Sequence, residues 1–226
     1  MSAGLESWAI IFDVDGVLLE LTRAEEELFF HPFAKRIGAE VLSRDWNSYK
    51  IRNDEEIVKE IVARYGLPPS EAEIITLEYL AVLEEQLASR ELLSDVVHGA
   101  EALLHKFDGH ARLGIATANF RKAAELRLTQ TGLWPLVSGL AHGADGGGPK
   151  ADILARAIRE TGLPSSRIIF IGDNVNDVQA GLHNQTHFIG FSLDAARRDA
   201  LKNAGATHIA SHHDETAHLI QTVLKA

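Results

Sequence analysis

The stretch Trp8-Ala-Ile-Ile-Phe-Asp-Val-Asp-Gly-Val-Leu-Leu19 constrains this chain more than any other. Ile10, Ile11 and Phe12 form a short apolar run with no polar alternation. Such a run suits a strand covered on both faces, the habit of a parallel sheet. Two carboxylates, Asp13 and Asp15, follow at once, and then Gly16. In extended chain Asp13 and Asp15 would share a face. At a strand end, where the chain turns, both can reach the crevice in which open α/β sheets bind ligands. Two acids placed there either share a metal or divide nucleophile and acid roles. The bland alternative is a strand closed by turn-forming Asp and Gly.

The rest of the chain supplies the partners such a strand needs. Residues 20 to 93 read as helical throughout, with Gly38, Gly66 and Pro68 as stops. Asn53-x-x-Glu56 and Ser70-x-x-Glu73 offer capping boxes. A block of several helices without a strand is too long for one βα crossover, so an inserted helical subdomain is expected. Strand and helix then alternate. Strands are expected over 112–117, 137–140, 167–171, 187–190 and 207–210, with helices between them. This alternation with short links predicts an α/β fold with a doubly wound parallel sheet. The expected domains are 1–18 with 95–226 as the α/β core, and 19–94 as a helical cap.

Composition closes off several classes. The 226 residues fit one large domain or a domain with an insert. The net charge of −10 and the lack of a Lys/Arg stripe argue against nucleic acid or an anionic membrane as partner. No apolar run approaches the ~20 residues of a membrane span, and the N-terminus does not read as a signal peptide. The absence of cysteine removes thiolate and disulfide chemistry and agrees with a cytoplasmic location. Nothing in the sequence specifies an oligomeric state.

Four expected strand ends carry polar side chains: Asp13 with Asp15, Thr117, the region of Lys150, and Asp173 with Asp177. In a parallel sheet these ends lie on one edge, so they can converge. The acids suit a hard cation such as Mg2+, which takes oxygen ligands and often bridges to phosphate. The Lys and Thr suit a phosphate, and the helix after Thr117 could add backbone N–H groups.

In these motifs the sequence resembles the haloacid dehalogenase superfamily. The D-x-D-x-T/V motif stands as Asp13-Val14-Asp15-Gly16-Val17, and the Thr after an apolar strand as Gly114-Ile115-Ala116-Thr117. The Lys near a helix start is Lys150, and G-D-x-x-x-D stands as Gly172-Asp173-Asn174-Val175-Asn176-Asp177. Ile51-Arg52-Asn53-Asp54 looks like the cap stretch of phosphoglycolate phosphatase-like members. The resemblance implies a Mg2+-dependent phosphatase acting on a small phosphorylated metabolite, with catalytic residues Asp13, Asp15, Thr117 and Lys150. It makes Asp13 the nucleophile and Asp15 the acid and then the base. Thr117 and Lys150 hold the phosphoryl oxygens, joined by Gly16 and nearby backbone. Ala118, Asn119 and Arg52 are the further substrate-binding candidates. Asp13, Asp173 and Asp177 are the implied metal ligands, with Asp15 through its backbone carbonyl.

The second acid, Asp15, favours phosphatase or mutase over dehalogenase, which has no alkoxide to protonate. The family's sugar phosphomutases carry Thr and His at positions that align with Leu21 and Glu25, a departure that favours a phosphatase. The alternatives are a phosphomutase and a non-catalytic binding module that keeps the fold. His208, His212, His213 and His218 match no zinc spacing and read as a solvated surface, as does Glu25-Glu26-Glu27. Phe29, Phe30, Phe33, Trp46 and Trp134 read as packing residues. Asn119 and Asn174 read as turn formers as readily as site residues.

Overall fold

A computed structural model describes residues 7–225. Residues 1–6 of the expected core span lie outside the described residues. Among those described, a six-stranded sheet forms with every strand parallel to its neighbours. The strands are β1 (Ala9–Phe12), β2 (Arg112–Ala116), β3 (Ala141–His142), β4 (Ile168–Gly172), β5 (His187–Phe191) and β6 (His208–Ala210). Their spatial order is β3-β2-β1-β4-β5-β6. The order reverses direction beside β1, which has β2 on one side and β4 on the other. That switch point opens the crevice in which such sheets bind ligands.

Consecutive apolar residues of β1 serve two cores. Ile10 and Phe12 pack on one side with α4 (Ala100–Phe107) and α10 (His213–Lys225). Ala9 and Ile11 pack on the other with α7 (Lys150–Thr161) and α8 (Val175–His183). This two-sided burial is why β1 and β4 are continuous apolar runs. Register pairs Phe12 with both Ile115 and Ile171. The residues just beyond, Asp13, Ala116-Thr117 and Gly172-Asp173, therefore leave the sheet edge side by side.

The segment between β1 and α4 is helical: α1 (Arg23–Ile37), α2 (Asp54–Arg64) and α3 (Glu71–Ser89). It has its own core of Phe29, Phe30, Phe33, Ile57, Ile61, Ile75, Tyr79 and Leu83. That core also takes in Phe120 and Ala123, at the start of α5 (Arg121–Gln130), so the segment rests on the helix that follows β2. Its two connections run together: Glu20 N–H donates to the Asp95 carbonyl (2.8 Å) and Val97 N–H to that of Leu18 (3.0 Å).

Several local expectations change. The segment is not helical throughout, because Gly38 (φ +86°) ends α1 and residues 39–53 hold only two 3-10 turns. Asn53 caps α2, accepting from Glu56 N–H at 2.8 Å. Ser70 is already helical in backbone and makes no cap bond, so the second predicted box does not form. The reciprocal capping box forms instead at Thr22 and Glu25. Where a strand is expected at 137–140, Trp134-Pro135 opens α6 (Trp134–Val137), since proline suits a first helical turn. The edge strand β3 follows it. Among the described residues no helix is long and apolar enough to cross a membrane.

His213 departs from the solvated-surface reading. His208, His212 and His218 are exposed, but His213 is buried at the start of α10. Its ring stacks on Phe191 (centroids 4.1 Å apart), and its Nε2 meets the Val17 carbonyl at 2.8 Å, two residues beyond Asp15. Burial pushes its pKa down to about 4, below an ordinary value of 6.5. Between those values the unfolded chain binds more protons at this site than the folded one. This contribution to stability is therefore full above about pH 6.5 and is lost as pH falls toward 4. In His213→Gln, urea unfolding at pH 4.5, 5.5 and 6.5 is expected to show a shallower acid decline than in the wild type. An unchanged slope would remove His213 from the acid limb.

Candidate active site

The strand ends place four charged groups in one buried knot. Lys150, the first residue of α7, puts Nζ 2.7 Å from Asp13 Oδ1 and 3.0 Å from Asp177 Oδ1. Asp173 lies beside them, and ligand oxygens of Asp13, Asp173 and Asp177 all fall within 4.8 Å of one another. All four residues are buried. A lysine at a helix start opposes the helix dipole, so the acids explain why one is tolerated here.

Glycine makes this crowding possible. Gly16 has φ +74°, and a Cβ there would collide with the Asp173 carboxylate. A Cβ on Gly172 would collide with that of Asp177. Asp177 also accepts from the Asn174 N–H (3.0 Å) in a capping box at the start of α8, which fixes its rotamer.

Three acids facing one lysine leave excess negative charge in a poor solvent for it. Burial pushes the Asp13 carboxyl well above the usual range, against the pull of Lys150, and Asp177 and Asp173 push it further. Burial and then Asp177 raise Asp173 in the same way, with Arg197 opposing. Burial alone would lower the Lys150 ammonium, but Asp13 and Asp177 hold it above the ordinary lysine range. A buried, all-oxygen donor set with uncompensated charge fits a hard divalent cation.

Asp15 points elsewhere. Its Oδ1 accepts from Arg127 Nη1 (2.7 Å) and its Oδ2 from Asn119 Nδ2 (2.9 Å). Arg127 is buried on α5, and its Nε donates to Glu25 Oε1 at 2.6 Å. Glu25 is thus a buried ion-pair partner rather than part of a solvated face. Asn119 also sits within hydrogen-bond reach of the buried Thr117 hydroxyl, Oδ1 to Oγ1 3.3 Å. The Gly16 N–H, expected to face a phosphoryl group, instead donates to the Leu19 carbonyl (2.8 Å) and closes the turn after Asp15. The Ala118 carbonyl accepts from Asp54 N–H (2.9 Å).

Arg52 reaches across from the helical segment. Its Nη1 lies 3.4 Å from Asn174 Oδ1 and 3.1 Å from Asn47 Oδ1. Nearby contacts fasten the start of α2 to the loop before Lys150. Asn53 Nδ2 donates to the Gly148 carbonyl (2.5 Å), and Glu55 Oε2 accepts from the N–H groups of Gly146 and Gly147 (2.6 and 3.0 Å).

Arg127 and Arg197 are the residues sequence reading missed. Arg127 falls on the buried face of α5 with Ala123, Ala124 and Leu128. An arginine at a core position of a helix was the available signal. Arg197, half-exposed on α9 (Ala195–Asn203), pairs with Asp173 Oδ2 and had no sequence signal.

A family model described as haloacid dehalogenase-like hydrolase matches residues 9–183. The chain belongs to that family. The match runs from β1 to the end of α8 and includes Asp13, Asp15, Thr117, Lys150, Asp173 and Asp177. No curated protein matches the sequence. Solved structures of the same fold include a haloacid dehalogenase-like family hydrolase from Streptococcus pneumoniae, 19% identical with a TM-score of 0.68, over 96% of this chain and 99% of that one. The CbbY protein from Rhodobacter sphaeroides, in complex with phosphate, is 21% identical with a TM-score of 0.67, again over 96% and 99%. A haloacid dehalogenase family hydrolase from Deinococcus radiodurans, with bound phosphate and sodium, is 20% identical with a TM-score of 0.60, over 97% and 98%. At these identities the likeness is one of fold.

Proposed function

We propose that this family member is a Mg2+-dependent phosphatase that hydrolyses a small phosphomonoester through an aspartyl phosphate on Asp13. The observation that carries the reading is the 2.7 Å approach of Lys150 Nζ to Asp13 Oδ1 inside a cluster of three buried acids. Lys150 and the Val14 N–H both sit on Oδ1. Oδ2 has no hydrogen bond among the described residues, which leaves it to attack. As it bonds to phosphorus, the bond to the leaving oxygen breaks, and Asp15 gives that oxygen a proton. Asp15 then takes a proton from water as the water attacks phosphorus, and the bond to Asp13 breaks to restore the carboxylate. Thr117 and Lys150 hold the phosphoryl oxygens throughout.

Asp13, Asp173, Asp177 and the Asp15 backbone carbonyl would hold the cation, which offsets the charge between an anionic nucleophile and an anionic substrate. Phosphate-monoester hydrolysis is among the slowest uncatalysed reactions, with enhancements up to ~10²¹. Positioning and fixed charge are the means available here. Residues 19–94 act as a cap over residues 1–18 and 95–226, excluding water and choosing the substrate. The contacts of Asn53, Asp54 and Glu55 with the core loops support this division.

The nearest rival is a phosphomutase. Glu25 is committed to Arg127 and to the Thr22 cap, and so is not offered to a sugar, which favours the phosphatase. Purified protein with Mg2+ is expected to release inorganic phosphate, one per alcohol formed, from some members of a panel of phosphorylated metabolites and acetyl phosphate. Isomerised product without free phosphate would make it a mutase. No turnover of any member would make it a non-catalytic module.

A further inference from the structure

Among the described residues, two cavities meet the site. The larger, about 430 Å³, opens beside Asp173 and Asn174. The smaller, about 100 Å³, lies between Asp15 and Ala118 on the core side and Leu21, Trp46 and Ile57 on the other. If Asp15 protonates the leaving oxygen, the leaving group belongs in the smaller cavity. The space beside Asp15 is small, and a leaving group of a few heavy atoms fits it.

Asp54 also lines the smaller cavity and is only 6% exposed. It is the first residue of α2, and both its backbone and one side-chain oxygen are anchored. Its N–H donates to the Ala118 carbonyl (2.9 Å), and its Oδ2 accepts from the Phe120 N–H (2.8 Å). Its Oδ1 has no hydrogen-bond partner among the described residues, and no cation pairs with it. Asp54 Oδ1 is not sealed from solvent but faces the cavity, where water can meet it. A leaving group that displaces that water must supply a hydrogen-bond donor in its place. A carboxylate there would face both Asp54 and Asp15. Arg52, the one cation on the wall among the described residues, extends Nη1 to Asn47 and Asn174, which line the larger cavity.

We infer that Asp54 is a specificity-determining residue, and that the substrate's leaving group is a short chain bearing a hydroxyl or amine that donates to it. This rests on the phosphatase reading above. Burial pushes the Asp54 carboxyl up to about 8. The ionised form, which prevails above that value, accepts from a donor and repels a carboxylate, so the comparison below is made at pH 9.

The test compares four substrates of similar size with Mg2+: glycerol 1-phosphate, phosphoethanolamine, propyl phosphate and phosphoglycolate. The wild type is expected to favour the first or second over the last two by at least about ten-fold in kcat/KM, since a site built to hydrogen-bond a substrate rejects analogues lacking the group. Which of the two leads separates a hydroxyl from an ammonium. Asp54→Asn keeps an acceptor for Phe120 N–H but puts a donor where Oδ1 was. It should cut the preference to within about three-fold, mainly through KM, and raise phosphoglycolate relative to the others. Equal losses on all four substrates, with the ratios intact, would reduce Asp54 to a structural role. A wild-type preference for phosphoglycolate or propyl phosphate would overturn the inference while leaving the phosphatase standing. No turnover of these four or of the wider panel would remove both.

Discussion

Asp13→Asn is expected to lose phosphate release by at least about 10⁴-fold while remaining folded. Removing the nucleophile of a covalent mechanism leaves only the background from binding and fixed charge, and losses of this order follow. The substitution is nearly isosteric. The new amide would keep an oxygen to accept from the Val14 N–H and from Lys150, the two contacts Asp13 Oδ1 makes now. It also removes one of three acids crowded within 4.8 Å, so stability should not fall. Circular dichroism and a urea melt beside the phosphate assay would check both halves. Retained turnover in a folded variant would refute Asp13 as the nucleophile. Lost turnover with a lost fold would mean that Asp13 serves structure first.

The apolar runs made the sheet legible, because β1 and β4 are buried on both faces and carry no alternation to confuse with a half-exposed strand. Their ends were legible too, since a parallel sheet aligns its strand ends whatever their separation in sequence. Asp13, Lys150, Asp173 and Asp177 follow from that rule and do meet. What stayed hidden depends on packing between distant helices. Glu25 reads as one of three solvated glutamates until α1 rests on α5 and Arg127 reaches it. His213 reads as one of four surface histidines until Phe191 stacks on it. The Gly16 N–H looked free for a phosphoryl group because the turn bond to Leu19 is invisible in a linear pattern. The strand expected at 137–140 failed for a local reason, since Pro135 starts a helical turn there. Leu21 and Glu25 were aligned with mutase positions by sequence alone, and only the ion pair to Arg127 gives Glu25 a physical occupation.

Lys150→Met is expected to have the second large effect, and the form of its loss tells a catalytic cluster from a structural ion pair. Methionine fills much of the same volume but removes the ammonium from between Asp13 and Asp177. Taking one partner from a buried ion pair typically costs about 3–5 kcal/mol, because the other charges stay buried without compensation. Arg197 offsets only Asp173, from the rim. The burial and like-charge repulsion that already raise Asp13 and Asp173 would act with less opposition. Carboxyls whose folded pKa values are raised lose stability as pH rises through them. The variant should therefore fall further behind the wild type at pH 8 than at pH 6. A divalent cation that binds the folded acids stabilises by mass action, so millimolar Mg2+ should recover part of the deficit and recover most at pH 8. Turnover should stay at least about 10³-fold down even with Mg2+, since the cation replaces the lost charge but not the ammonium that holds a phosphoryl oxygen. Urea unfolding at both pH values, with and without Mg2+, reads the outcome. A deficit insensitive to Mg2+ would argue that the three acids do not hold a metal. Full recovery of turnover with Mg2+ would argue that Lys150 serves only to balance their charge.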